Sequence, residues 1–146
     1  MNDSPRRKAR ELVLKGLYAL EAGAATQQEI LNDVVSSVKI GTKAEEFSRV
    51  LFGRVCEKRS WADRHISKLS KNWSLDRIAR IDRDILRMAM VELEEFPDIP
   101  AKVVLNEAIE LAKKYSSADS SRFINGILDQ FVKNSNALQP EPPADN

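Results

Sequence analysis

The chain is poor in the residues from which most catalytic and metal sites are built. It holds one cysteine, Cys56, and one histidine, His65, in 146 residues. A lone cysteine closes no disulfide within the chain, which points to a reducing compartment, the cytoplasm. A zinc site of the Cys/His kind needs about four ligands, so none is expected. On one continuous helix Cys56 and His65 stand about 13–14 Å apart along the axis and cannot act together. Glycine is scarce: the five stand at 16, 23, 41, 53 and 126, never spaced as a phosphate-cradling loop. Four of the six prolines sit at the ends (Pro5, Pro140, Pro142, Pro143), which leaves a body with few breaks and favours long helices over many short strands. No apolar run approaches the ~18–20 residues of a bilayer crossing, and the basic start leads into an amphipathic pattern rather than a signal peptide. Lys and Arg number 23 against 22 Asp and Glu, a net +1, so the whole is not a basic nucleic-acid coat. The expectation is a soluble, cytoplasmic, all-α protein without catalytic residues, metal or cofactor. Glu107 and Glu110 share a helix face, but such carboxylate pairs read as solvated charge.

What the chain does have is helical periodicity. Ala9, Leu12, Val13, Leu17 and Leu20 make one stripe, with Gly23 where a C-cap belongs. Thr26-Gln-Gln-Glu29 is a capping box, and Ile30, Leu31, Val34, Val35 and Val38 form the buried face of a second helix. Thr42-Lys-Ala-Glu45 reads as another box. It opens a long third helix to about Ser70 on Phe47, Val50, Leu51, Val55, Ala62, Ile66 and Leu69, with a potential break near Ser60. A short helix at 75–79 and a longer one from Asp82 to Phe96 follow, then a Pro97–Pro100 loop with Asp98 as cap or turn residue. A helix at 101–115 and a last one carrying Phe123, Ile124, Ile127, Leu128 and Phe131 flank a turn at Ser116–Asp119. The sum is a bundle of about seven helices in two packed subdomains, 5–72 and 73–134, within one domain, 1–134. A disordered tail is expected at 135–146.

The near-neutral total hides opposite local charges. Residues 1–20 hold five Lys and Arg against two acids, net +3; residues 49–80 hold nine against three, net +6; residues 82–110 hold three against eight, net −5. A basic side and an acidic side suit two partners of opposite charge. Arg6, Arg7, Lys8 and Arg10 crowd the first turns of a helix, where the macrodipole disfavours cations. The cluster therefore reads either as a phosphate-binding segment or as a solubilising terminus. A solvated face is the plainer reading of 49–80. Tyr18 and Phe123 each fit a core stripe or a rim aromatic. Trp61 and Trp73 are expected to pack at the subdomain junction, and Gly126 to mark the close approach of another helix.

Taken in order, several segments resemble the NusB family of transcription antitermination factors. They are Arg6-Arg-Lys-Ala-Arg-Glu11 with Leu17-Tyr18, then Ile81-Asp-Arg-Asp-Ile-Leu-Arg87 with Glu92-Leu93. Ile99-Pro100 and Asn106-Glu-Ala-Ile-Glu-Leu-Ala-Lys113 follow, and Asp119-Ser120 with Phe123-Ile-Asn-Gly-Ile-Leu-Asp129 closes the series. The match runs over about 5–132 in correct order and spacing.

The resemblance implies an all-helical, NusB-like adaptor rather than an enzyme. It would pair with NusE, a ribosomal small-subunit protein, bind single-stranded boxA RNA of ribosomal RNA operon leaders, and join the elongating RNA polymerase complex. Position by position it implies RNA contacts at Arg6, Arg7, Lys8, Arg10, Asp119 and Phe123, and NusE contacts at Tyr18, Asp82 and, more weakly, Glu92. Some members self-associate, so a homodimer is among the expectations. A NusB-like fold also occurs fused to ribosomal RNA cytosine methyltransferases, but only a short tail follows Asn134, and no catalytic domain is expected. The competing reading is a helical protein-binding scaffold whose basic start is decoration.

Overall fold

The computed structural model describes residues 4–23 and 25–138, and the described residues form seven α-helices and no strand. Helix α1 spans Pro5–Glu21, α2 Gln27–Ile30, α3 Thr42–Glu57, α4 Arg59–Leu69, α5 Arg80–Glu95, α6 Ala101–Tyr115 and α7 Ala118–Leu138. None is long and apolar enough to cross a membrane.

Local chemistry accounts for most of the boundaries. The Ser4 side chain accepts a hydrogen bond from the Arg7 backbone N–H at 3.0 Å, and Pro5 opens α1 where its missing N–H costs nothing. Gly23, at φ +78°, stops the helix as expected and donates its N–H to the Leu20 carbonyl. The Thr26–Glu29 capping box is present in both directions. From there α2 widens into a π-helical turn, Leu31–Val35, and ends; Val38 lies beyond it and is exposed, not buried as its spacing suggests.

The second capping box does not form. Gly41, at φ +101°, holds the N-cap position, which makes Thr42 the first helical residue and leaves its side chain without a cap bond. The long third helix is two helices, broken at Lys58 (φ −104°, ψ 18°), two residues before Ser60, and Val50 faces solvent. Residues 75–77 are a single 3-10 turn. Helix α7 starts early enough to include Asp119 and runs to Leu138, past the expected end at Asn134. Residues 139–146 of the expected tail lie outside the described residues.

Helix α5 is the hub. Ile85, Leu86, Met88, Ala89, Met90 and Val91 are all essentially buried, so the helix is covered on nearly every side, by α1, α3 and α4 from one half and α6 and α7 from the other. One contiguous apolar cluster runs from Ala9 to Phe131 across the expected subdomain boundary.

The closest approach is at Gly16 of α1. A Cβ there would stand 3.1 Å from Val35, 3.2 Å from Ile30 and 3.2 Å from Phe52, three side chains that are themselves buried. Gly16→Ala should therefore destabilise the fold by about 1–3 kcal/mol through overpacking, against the gain in helix propensity. Urea unfolding checks this, and a variant as stable as the parent would show that the three neighbours yield.

Candidate nucleic-acid interface

A helix covered on nearly every side has little room to solvate its charges, yet α5 carries Asp82, Asp84, Arg87 and Glu92, each 6% exposed or less. Each must find a partner inside. Glu92 finds Arg10 of α1: the guanidinium Nε lies 3.0 and 3.2 Å from the two carboxylate oxygens and Nη2 also donates to Oε2. Arg87 is gripped by Asp63 of α4 (2.7 and 3.1 Å), Glu21 of α1 (2.9 Å) and Asp84 of its own helix (3.1 Å).

That second cluster holds more carboxylates than its guanidinium can serve. Glu21 Oε1 and Asp84 Oδ2 are buried without a donor if both acids are ionised. Burial first, and then the hydrogen bond to and negative charge of Glu21, push the Asp84 carboxyl up to about 8. Burial raises the Glu21 carboxyl too, but hydrogen bonds from Asp84 and Arg87 outweigh it and the net shift is downward. Near neutrality Asp84 therefore keeps its proton and donates it to the Glu21 carboxylate.

These pairings revise the sequence-based site. Arg10, expected to face RNA, is 3% exposed, and Glu92, expected to meet a partner protein, is 1% exposed; each is the other's counter-ion. Asp82 is also largely buried, and one of its oxygens accepts from Ser120 Oγ of α7 at 2.7 Å. Arg7 makes a bidentate pair with Glu107 of α6 at 2.9 and 2.8 Å. Arg6 stacks over the Phe47 ring at 4.2 Å while keeping part of its side chain in solvent, and Lys8 is exposed. Tyr18 is a rim aromatic, 44% exposed, with the Arg80 guanidinium 5.3 Å from its ring centroid.

Three expected site residues do come together. Asp82, Asp119 and Phe123 line one open cavity of about 400 Å³ with Ser120, Trp73 and Arg77. Asp119 projects fully into solvent, paired with Arg122 one turn on. Sequence reasoning missed Trp73 and Arg77. Trp73, expected to pack at the junction, is instead 51% exposed. Its position beside a cluster of Lys and Arg was the available signal. Gly126 is corrected as well: a Cβ there meets nothing within 4 Å, so no helix approaches it, and it costs α7 about 1 kcal/mol against Ala.

The two residues with intrinsic reactivity lie elsewhere. Burial pushes the Cys56 thiol up to about 11, leaving it a poor nucleophile. His65 sits edge-on between Trp61 and Phe131; burial, with Lys68 and Arg64, holds its pKa below the ordinary value. The break at Lys58 puts the two on different helices.

The described residues form an all-helical bundle that buries Asp82, Asp84 and Glu92 and groups Trp73, Phe123, Arg77 and Arg122 round its open hollows. The family model described as NusB family matches residues 7–133. The transcription antitermination protein NusB of Trichlorobacter lovleyi is 45% identical over 126 residues, covering 86% of this chain and 89% of the relative. That of Geobacter sulfurreducens is 46% identical over 128 residues, covering 87% and 93%. Among solved structures, T. maritima NusB superposes with a TM-score of 0.80 at 36% identity, over 90% of this chain and 93% of that one. A crystal structure of antitermination factors NusB and NusE in complex with dsRNA superposes with 0.79 at 25% identity, over 89% and 97%. This chain belongs to the NusB family.

Two outcomes follow from the buried charges. Glu92→Leu should cost about 3–5 kcal/mol in chemical denaturation, because it leaves the buried Arg10 guanidinium with only the Glu107 carboxylate at 3.9 Å; the double change Arg10→Met with Glu92→Leu should recover most of the loss. A double variant no better than the single would mean that packing, not the stranded charge, sets the cost. Asp84 titrates near 8 when folded and near its ordinary 3.8 when unfolded, so the folded state holds the extra proton between those values. Its contribution to stability is complete below the lower value and is lost as pH rises toward about 8. Asp84→Asn, which keeps a donor to Glu21, should flatten the fall in stability over that window, and an unchanged slope would place the proton elsewhere.

Proposed function

We propose that this protein is a non-catalytic antitermination adaptor of the cytoplasm. It binds single-stranded boxA RNA together with NusE and carries it to elongating RNA polymerase. The observation that carries the reading is the grouping of Phe123, Asp119, Trp73 and Arg77 round one open cavity. Single-stranded RNA is recognised by unpaired bases stacked on aromatic rings and by cations on its phosphates, and this surface offers both.

Roles divide by exposure. Phe123 is the stacking ring at the cavity. Lys8 and the solvent-facing part of Arg6 contact phosphate, and Arg7, bridged to Glu107, holds that turn in place. Arg10 and Asp82 act through others: Arg10 sets the pose of α1, and Asp82 orients Ser120 beside Asp119. Tyr18 with Leu14, Ala19, Ile81 and Tyr115 lines an apolar hollow suited to NusE. Glu92 is assigned to the Arg10 pair and not to a partner.

Fluorescence anisotropy of a boxA oligomer, with and without NusE and at two salt concentrations, tests the reading. Salt-sensitive binding that NusE strengthens and a scrambled oligomer does not reproduce is expected. No binding in either arm contradicts it and favours a protein-only scaffold. Within that assay Asp119→Asn should tighten binding a few-fold, because it removes a charge that repels phosphate and releases Arg122 from its exposed pair. A weaker complex would instead make the carboxylate a hydrogen-bond acceptor for a base.

A further inference from the structure

Next to the Phe123 cavity lies a second groove, of about 670 Å³, between α7 and the segment that follows α4. Lys68, Lys71, Trp73, Arg122, Phe123 and Gly126 line it, and Trp73 and Phe123 belong to both hollows, so one runs into the other. Lys68 and Lys71 make no ion pair with any described residue. Trp73 presents a half-exposed indole from a loop that is itself held: the Trp73 backbone N–H donates to the Ser70 carbonyl at 3.0 Å, and buried Ser70 Oγ donates to the Ile66 carbonyl at 2.6 Å. Trp73 and Phe123 together put two aromatic rings on the wall that the two hollows share.

Gly126 supplies an independent observation. It lies inside α7, its backbone is not in the left-handed region, and no atom stands within 4 Å of where a Cβ would be. Neither conformation nor packing requires glycine there, and helix propensity opposes it. What its missing side chain leaves is open floor in the groove.

We propose that this groove binds further nucleotides of the single-stranded RNA, those flanking the segment held at Phe123, with Trp73 as a stacking platform and Gly126 leaving the floor clear for a base. The inference rests on the RNA-binding reading above. The lining favours RNA over protein: unpaired lysines and an exposed indole suit phosphates and planar bases, and they repel a basic ribosomal partner.

The test is anisotropy with the full chain and NusE, using a boxA oligomer and the same oligomer lengthened by single-stranded flanks. Parent protein should bind the lengthened RNA several-fold more tightly. Gly126→Met, which fills the floor with a good helix former, should abolish that gain while leaving the short oligomer's affinity within about twofold; Trp73→Ala, whose ring also lines the Phe123 cavity, should abolish the gain and weaken the short oligomer as well. Gly126→Met should also melt at or above the parent temperature, which separates a blocked groove from a damaged fold. Lys71→Gln should lower the salt dependence for the long RNA by about one phosphate contact.

If both groove variants keep the full flank gain while Phe123→Ala binds neither RNA, the inference fails and the adaptor reading stands. If the parent binds neither oligomer, both fail. If the groove variants change self-association in sedimentation and not RNA affinity, the groove is a contact between copies of the chain and the inference is overturned.

Discussion

The buried Arg10–Glu92 pair decides where α1 sits, and much of the surface follows from it. A guanidinium and a carboxylate removed from water together gain little net stability over an apolar pair, but a mismatch between them is very costly. They therefore act as a register pin. With Arg10 directed into α5 and Arg7 on Glu107 of α6, only one rotation and one translation of α1 satisfies both forks. That pose leaves Lys8 outside and Arg6 lying over Phe47 with part of its side chain in solvent. The Arg87 cluster pins the other end of the same helix by Glu21, next to α4 through Asp63.

The charge blocks along the chain turn out to be complementary to one another. Arg7 and Arg10 are spent on Glu107 and Glu92, and Lys58 and Arg54 reach Glu95 at 3.1 and 3.4 Å. Much of what looks like two docking faces of opposite sign is stitching between helices. Of the several cations that make no ion pair among the described residues, Lys68, Lys71 and Arg77 collect beside Trp73 and Phe123.

Helix class, element order and most of the core were legible because a 3.6-residue stripe is a local signal. Ile85, Met88 and Ala89 of α5 and Ile124, Leu128 and Phe131 of α7 are buried as their spacing implies. Errors arose where a distant residue decides. Arg10 looks like a surface cation until Glu92, 82 positions away, is brought against it. Trp73 looks like core until the loop tied down by Ser70 turns it outward. The α3–α4 break at Lys58 carries no proline or glycine to announce it. Of the cavity lining, Phe123 and Asp119 stand together in the Asp-Ser-x-x-Phe pattern, but their grouping with Trp73 and Arg77 is a property of the fold.

The claim that the Trp73–Phe123 surface faces RNA while Arg10 of α1 is structural is tested most directly by heteronuclear NMR of the labelled protein with NusE and boxA RNA. The Trp73 indole N–H and the amides of the first turns of α1 and α7 should shift on adding RNA. The Arg10 Nε–H should remain protected from exchange by Glu92 in both states. Shifts confined to the outer faces of α3 and α4, or an Arg10 Nε–H that loses protection when RNA binds, would contradict it.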